Sequence, residues 1–238
     1  MDTICYTPIG IIESCFSEKF GAPRQSGLVP AATAQICIHE KFARKEAWAD
    51  LNHFSHIWII YDFNRIPKTH VKMTARPPRL GGNQRVGVFA SRSPYRPNTI
   101  GLSSAYLESV CYQQEKVILK VSNIDLISGT PVLDIKPYLP YSDAHPNAHG
   151  HYAQTKPQNA VSIIFSEKAQ QQCQFYENQG YKQLGTLIRQ TLSLDPRPAY
   201  KNTHPAQHYG MQLYDLNIRW HTSNGIFEVT EIKQIPKE

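Results

Sequence analysis

Two adjoining runs of β-forming residues lie at the centre of the sequence, where residues 101–127 read GLSSAYLESVCYQQEKVILKVSNIDLI. In the second run, Val117, Leu119 and Val121 occupy every second position, so their side chains share one face of a strand. Similar short runs fill the first 165 residues, namely ICYTPIGIIES, ATAQICIHE, FSHIWIIYDF and RVGVFASR, with Pro, Gly, Ser and Asn clusters between them. The pattern predicts a mainly β protein.

The same half of the chain lacks the features of a doubly wound nucleotide-binding domain. Such a domain alternates strands with helices of about 10 to 15 residues and has a glycine-rich turn after its first strand. The chain has no G-x-G-x-x-G motif, and helical spacing appears only near Lys41 to Leu51, where Ala43, Ala47 and Trp48 fall on one side. We therefore expect a barrel-like, non-Rossmann β-domain to hold any nucleoside cofactor.

A polar segment rich in Pro and His follows this β-rich half and shows no periodicity, which predicts a linker. The predicted organisation is a β-domain at residues 1–142, a linker at 143–158 and a small α+β domain at 159–238. The whole chain is long enough for one large domain with a small one attached.

The predicted C-terminal domain has two helix patterns and a hairpin. Ser166 predicts the N-cap of a first helix that ends near Gly180, and residues 184–192 form a second amphipathic stripe. The segments YDLNIRWHT and IFEVTEIKQI predict two paired strands, because the Asn224-Gly225 pair between them supplies the positive φ angles of a tight turn.

Composition limits the classes of function. A net charge of +6 and a pI near 9.0 favour a polyanionic partner, although many basic proteins carry such charge only for solubility. The five scattered cysteines form no C-x-x-C pair, so we expect reduced side chains that act as small hydrophobes. The N-terminus lacks the pattern of a signal peptide, and no apolar run approaches about 18 residues. We expect a cytoplasmic protein.

An arginine-rich stretch at residues 76–103, RPPRLGGNQRVGVFASRSPYRPNTIGLS, is the densest group of candidate functional residues. Pro and Gly restrict the backbone, so loops of this kind can hold guanidinium groups in position for a carboxylate or a phosphate. The alternative is a set of turns whose arginines are exposed and contribute little.

Three further segments contain polar residues that fit a binding site. Asp125 and Asp134 could bond ribose hydroxyls or act as bases, although turns also recruit aspartate for local backbone bonds. The loop KFGAPRQSGLVP and the Pro-rich motif DPRPAYK suit contacts with a ligand or with phosphates and bases, while ordinary connections are an equal alternative. The spacing of His145, His149 and His151 matches no metal signature, and we expect no metal site.

The segments GVFASRSPYRPNTIGLS, RPPRLGGN, DLISGTPVLDIKPYLP, APRQSGLV and DPRPAYK closely resemble the TsaA/TrmO family. Members of this family are tRNA methyltransferases that act on N6-threonylcarbamoyladenosine beside the anticodon. The resemblance implies a β-barrel methyltransferase that works as a homodimer, with S-adenosylmethionine bound near the subunit interface. The chain departs from the family pattern at Thr99, where Pro is usual, and at Ser128, where Asp is usual.

The resemblance also implies roles for individual residues. The cofactor-binding residues are expected to be Pro23, Arg24, Gln25, His56, Arg92, Leu102, Asp125, Leu126 and Ile127. The tRNA-binding residues are expected to be Arg96, Arg197, Tyr200 and Lys201. Because a urea-like N6 is a weak nucleophile, we expect His56 or Asp195 to assist removal of its proton, and an arginine, Arg92, to hold the threonyl carboxylate.

Two other functions fit the same residues. A non-catalytic RNA-binding module would use the basic loops only to grip a tRNA. A methyltransferase with another acceptor would keep the cofactor and change the substrate.

Overall fold

A computed structural model describes residues 4–157, 161–197, 208–223 and 225–236. The strands are β1 (Gly10–Ser14), β2 (Thr33–Ile38), β3 (His56–Asp62), β4 (Thr74–Ala75), β5 (Val86–Gly87), β6 (Ile100–Gln113), β7 (Lys116–Ser122), β8 (Pro131–Pro137), β9 (Ser162–Phe165), β10 (His208–Leu213), β11 (Leu216–Ser223) and β12 (Ile226–Gln234). The α-helices are α1 (Pro140–Asp143), α2 (Glu167–Asn178) and α3 (Leu184–Ser193). This confirms the predicted mainly β class.

Six strands close into a barrel in the order β1-β2-β7-β6-β3-β8. Along β3, the side chains of Ile57 and Ile59 are buried while His56 is exposed, which is the alternation expected of a strand with one face on a core. The predicted buried face of β7 is also present, with Val117, Leu119 and Val121 at 1% exposure or less. Because the barrel is closed, each of its six strands pairs with a neighbour on both sides.

A glycine allows two barrel strands to pack around an aromatic ring. Gly101 of β6 lies opposite Tyr61 of β3 in the antiparallel pair. A Cβ atom at Gly101 would overlap the Tyr61 ring. The Ser103 hydroxyl donates to the phenol oxygen of Tyr61 across 3.5 Å, so the buried phenol has a polar partner.

The chain divides into two compact units. The barrel unit comprises the described residues of Met1–Glu13, Gln35–Val121 and Gly129–Lys156, and the composite unit comprises those of Ser14–Ala34, Ser122–Ser128 and Pro157–Glu238. Two short segments of the first half of the sequence therefore pack with the C-terminal part, an arrangement that a contiguous division at residues 142 and 158 does not contain.

A four-stranded sheet and two helices form the C-terminal part of the composite unit. The sheet has the order β10-β11-β12-β9, with β9 parallel to β12 and the other pairs antiparallel. The Ser166 hydroxyl caps α2 by accepting a bond from the Ala169 amide, as predicted. Leu184, Leu187, Ile188 and Leu192 of α3 are fully buried, which confirms the second predicted stripe.

The prediction of a helix near Lys41 to Leu51 is wrong. Three 3-10 helices occupy this region, at Glu40–Phe42, Lys45–Trp48 and Leu51–His53. Extended backbone at Arg44 and a left-handed Asp50 (φ 63°) interrupt the helical path. Trp48 fixes this geometry, because its buried indole donates to the carbonyl of Phe42 across 2.8 Å.

Among the described residues, no helix is both long enough and apolar enough to cross a lipid bilayer. The five cysteines all lie within the described residues and are free thiols, with Cys15 and Cys173 buried. Burial raises the pKa of Cys15 to about 12, so its side chain is a neutral thiol.

Candidate active site

Two of the predicted cofactor segments belong to the composite unit and are joined by backbone hydrogen bonds. The Gly27 amide donates to the Asn123 carbonyl across 2.9 Å, and the Ser128 amide donates to the Phe16 carbonyl across 2.8 Å. The Ser14 hydroxyl adds a bond to the Leu126 carbonyl at 2.7 Å. The loop with Pro23, Arg24 and Gln25 and the segment with Asp125, Leu126 and Ile127 therefore form one connected layer.

Side chains in this layer differ in what they can offer a ligand. Pro23 and Leu126 are buried, so their side chains pack inside the layer and are not exposed to a ligand. Ile127 and Asp125 are half-buried, and one carboxylate oxygen of Asp125 is shielded from solvent. The Gln25 amide donates to the neighbouring Arg24 carbonyl.

Asp195 and Arg197 form a two-pronged ion pair just after α3. The Arg197 Nε atom donates to Oδ1 of Asp195 and its Nη2 atom donates to Oδ2, each across 2.8 Å. The Arg197 amide also donates to Oδ1, at 3.2 Å. Asp195 itself adopts a left-handed φ of 47°. The hydrogen bonds from Arg197 to this carboxylate are the main reason that the pKa of Arg197 is raised.

A second arginine, Arg24, interacts electrostatically with the same carboxylate. Surrounding protein desolvates the Arg24 guanidinium and lowers its pKa below the ordinary value, while the negative charge of Asp195 acts in the opposite direction. Part of the Arg24 side chain stays exposed. Because two arginines interact with one carboxylate, this cluster carries an excess positive charge and can attract an anionic group.

The Arg197 guanidinium packs against the end of a stack of three aromatic rings. Its guanidinium lies 4.6 Å from the centroid of the Phe227 ring. Phe227 stacks on Trp220, and Trp220 stacks on Tyr209, with ring centroids 4.5 Å apart in both pairs. Phe227 and Trp220 are buried, so the stack gives Arg197 a rigid base.

Other predicted site residues belong to the barrel unit. His56 is exposed at the start of β3, where its Nδ1 atom lies 2.9 Å from the Ser55 hydroxyl and its ring meets Tyr106 edge-on at 5.3 Å. Leu102 lies on the outer face of β6 and is 53% exposed. Both side chains are therefore accessible on the barrel's outer surface.

The two arginines predicted from the RSPYRPN segment have different surroundings. Arg92 is exposed. Arg96 is half-buried, and its Nη1 atom donates to the carbonyls of Val88 and Ser91 across 3.1 and 2.8 Å. Those bonds give Arg96 a role in fixing its own loop. Tyr200 and Lys201 lie outside the described residues.

Family models match the chain over almost its full length. The model of the tRNA-methyltransferase O N-terminal domain matches residues 11–144, and that of the TrmO C-terminal domain matches residues 158–235. The chain belongs to the tRNA-methyltransferase O family.

Individual relatives and solved structures agree with this family. A tRNA (adenine(37)-N6)-methyltransferase of Escherichia coli is 41% identical over 96% of this chain and 97% of its own length. The Pseudomonas aeruginosa protein named "Putative S-adenosylmethionine-dependent methyltransferase RcsF" is 42% identical over 90% of this chain and 91% of its own. A crystal structure of TrmO from Pseudomonas aeruginosa superimposes with a TM-score of 0.81 at 35% identity, covering 98% of both chains.

Two residues that the sequence patterns missed lie just after β3 in the barrel unit of this TrmO family member. The Asn64 amide group donates to the Gly129 carbonyl across 3.3 Å, and an Nη atom of Arg65 is 4.0 Å from the position a Cβ would take at Gly129. Gly129 has a φ of 84°, which favours glycine. Asn64 and Arg65 could have been found from the sequence, because they are two polar residues directly after a predicted strand.

The two departures from the TrmO pattern have local partners. The Thr99 hydroxyl donates to a carboxylate oxygen of Asp62, a bond that proline could not make. Ser128 bonds through its backbone amide to the Phe16 carbonyl, which is independent of its side chain. Among the described residues, no group of three His, Cys, Asp or Glu side chains could hold a metal ion.

Proposed function

We propose that this protein is a tRNA methyltransferase that uses S-adenosylmethionine to methylate N6 of N6-threonylcarbamoyladenosine at position 37, beside the anticodon. The observation that carries the proposal is the match to the Escherichia coli tRNA (adenine(37)-N6)-methyltransferase across nearly the full length of both chains. The two arginines at Asp195 support it, because a cluster with excess positive charge suits an anionic tRNA substrate.

The chemistry of the predicted cofactor residues suits S-adenosylmethionine, which supplies an electrophilic methyl group when bound. Arginine can pair with its carboxylate, and the Asp125 carboxylate can accept bonds from ribose hydroxyls or from its ammonium group. Leu102, in the barrel unit, and Ile127, in the composite unit, each expose part of an apolar side chain. The proposed cofactor set is Pro23, Arg24, Gln25, His56, Arg92, Leu102, Asp125, Leu126 and Ile127.

Methyl transfer to N6 requires loss of the N6 proton, and the proposal gives this role to Asp195, with His56 as the alternative. Arg197 holds both carboxylate oxygens of Asp195, so the carboxylate has one fixed orientation. A fixed base can contribute through positioning as well as through proton transfer. Arg92 is proposed to hold the threonyl carboxylate, and Arg96, Arg197, Tyr200 and Lys201 to contact the tRNA.

The proposal includes a cytoplasmic homodimer. The outer face of β6 exposes three large side chains, with Ile100 at 40%, Leu102 at 53% and Tyr106 at 43% exposure. A second copy of the chain would cover this apolar strip. Because Leu102 also belongs to the proposed cofactor set, the cofactor would lie close to the subunit interface.

The experiment is transfer of labelled methyl from S-adenosylmethionine to tRNA, with the protein at catalytic concentration. The tRNA is purified from cells with and without the threonylcarbamoyl modification. We expect label only on the modified tRNA. Equal labelling of both would support a methyltransferase with another acceptor, and binding of tRNA without any labelling would support a non-catalytic RNA-binding module.

A further inference from the structure

The connection between β3 and β6 carries the positive charge of the whole protein. Residues 63–99 contain no Asp or Glu and eight basic side chains, namely Arg65, Lys68, Lys72, Arg76, Arg79, Arg85, Arg92 and Arg96. Since the full chain has a net charge of +6, the rest of the chain is net −2. A polyanion is therefore attracted to this one connection.

The connection also presents an aromatic ring to solvent. Phe89 is 73% exposed, although phenylalanine usually lies in a core. Its neighbours fix the backbone: Val88 is buried at 2% exposure, and its amide donates to the Met73 carbonyl across 2.9 Å. The Ser91 hydroxyl donates to the Val88 carbonyl at 2.8 Å. The Phe89 ring is thus exposed on a short 3-10 turn (Val88–Ala90) that is tied at both ends.

Arg96 stacks against this ring. The carbon at the centre of its guanidinium lies 5.3 Å from the Phe89 ring centroid. Two bonds from Nη1 to the carbonyls of Val88 and Ser91 hold the guanidinium in this position. The exposed area of the ring remains available for a planar partner, and the arginine places a positive charge beside it.

We propose that Phe89 is a stacking platform for an unpaired base of the tRNA anticodon loop, while the surrounding cations contact the adjoining phosphates. This inference rests on the proposed function in taking tRNA as the substrate. Fixed aromatic rings within a basic surface are a common means of holding single-stranded nucleic acid. A second copy of the chain is a poor occupant, because a two-fold interface here would place eight basic side chains opposite the same eight.

The test measures binding of a threonylcarbamoylated anticodon stem-loop RNA by fluorescence anisotropy. Phe89→Ala is expected to raise the Kd about 10-fold, and Phe89→Tyr, which keeps the ring, to stay within about two-fold of wild type. The matched control is Phe175→Ala, which removes a ring of 57% exposure from α2 and should leave the Kd unchanged. Thermal unfolding of each variant checks that it is folded.

A second readout separates stacking from a merely structural role. Loop bases are replaced one at a time by 2-aminopurine, whose fluorescence falls when it stacks. We expect one position to be quenched by wild type and by Phe89→Tyr and to lose that quenching in Phe89→Ala. The slope of log Kd against log salt concentration should stay unchanged in Phe89→Ala, because no charge is removed.

Three outcomes would overturn the inference. Phe89→Ala could bind the RNA as tightly as wild type, quenching could be absent at every loop position, or Phe89→Ala could turn a dimer into a monomer in light scattering. The methyl-transfer assay distinguishes this failure from failure of the proposed function. A wild-type protein that binds RNA through Phe89 and transfers no methyl keeps the inference and loses the function, whereas a wild-type protein that transfers methyl but binds RNA equally well after Phe89→Ala loses only the inference.

Discussion

In the motif DPRPAYK, Asp195 and Arg197 adopt one defined geometry. The left-handed backbone at Asp195 turns the chain directly after α3, and Arg197 then closes on the carboxylate with two bonds. Its side chain has only 11% exposure. A fork of two bonds needs a planar guanidinium, which an ammonium group cannot replace.

Arg197→Lys keeps the charge and loses the fork, so we predict a fall in kcat of about 100-fold with little change in the Kd for S-adenosylmethionine. Steady-state kinetics and calorimetry measure the two quantities. Arg219→Lys is the matched control in the same unit, because Arg219 is exposed and pairs with Glu231 across 3.4 Å without a two-bond fork. Full turnover in Arg197→Lys would contradict the role given to the fork.

Part of this site could be predicted from residues alone, and part could not. Asp195, Arg197 and the Arg24 loop stand out in the sequence because Pro and Gly surround them. The ring beside Arg197 does not, because Phe227 is far from Arg197 in the sequence and meets it only in the fold. A contact between segments so far apart in the chain leaves no local signal in the sequence.

Periodicity in the sequence predicted the helices and strands that bury a full face, and it failed where only one side chain is buried. The stripe of α3 and the alternation of β7 are both buried as predicted, because each has a full face against a core. The segment at residues 40–53 has helical spacing but buries only Trp48 among its 3-10 helices. One indole bonded to a backbone carbonyl favours short turns over a continuous helix. Strand β10 was not predicted, since His208 and Gly210 break its alternation.

The pair of strands β3 and β6 gives a prediction for the barrel. Gly101→Ala should lower the free energy of unfolding by about 1 to 3 kcal/mol or more, because the new methyl group overlaps the buried Tyr61 ring. Gly87→Ala is the control: no atom lies within 4 Å of its added methyl group, and its φ of −57° suits alanine. Chemical denaturation of both variants provides the measurement. Equal stability in the two would show that the ring moves aside at no cost.

The two compact units of the molecule are each built from segments that are not contiguous in the sequence. Composition and the loss of periodicity after Pro140 predicted a division between 142 and 159. The observed composite unit also contains Ser14–Ala34 and Ser122–Ser128. Backbone bonds such as the one from Gly27 to Asn123 join these segments, and they depend on three-dimensional proximity that spacing in the sequence does not reveal.

The uneven charge of the molecule predicts a salt effect on tRNA binding. Replacing Arg76 and Arg85 together by Gln should weaken binding at low salt and reduce the slope of log Kd against log salt by up to about 2, as phosphate contacts are lost. The control replaces two exposed lysines of β7, Lys116 and Lys120, by Gln and removes the same charge. Filter binding at several salt concentrations gives both slopes. Identical slopes in the two double variants would mean that only total charge matters.

The proposed activity is defined by the nucleoside, and by the atom of that nucleoside, that receives the methyl group. The most direct measurement is mass spectrometry of nucleosides and anticodon-loop fragments from tRNA incubated with the protein and S-adenosylmethionine. We predict that N6-threonylcarbamoyladenosine at position 37 becomes its N6-methyl derivative and that no other nucleoside gains mass. A methyl group on a different nucleoside, or an unchanged position 37 in tRNA that the protein binds, would contradict it.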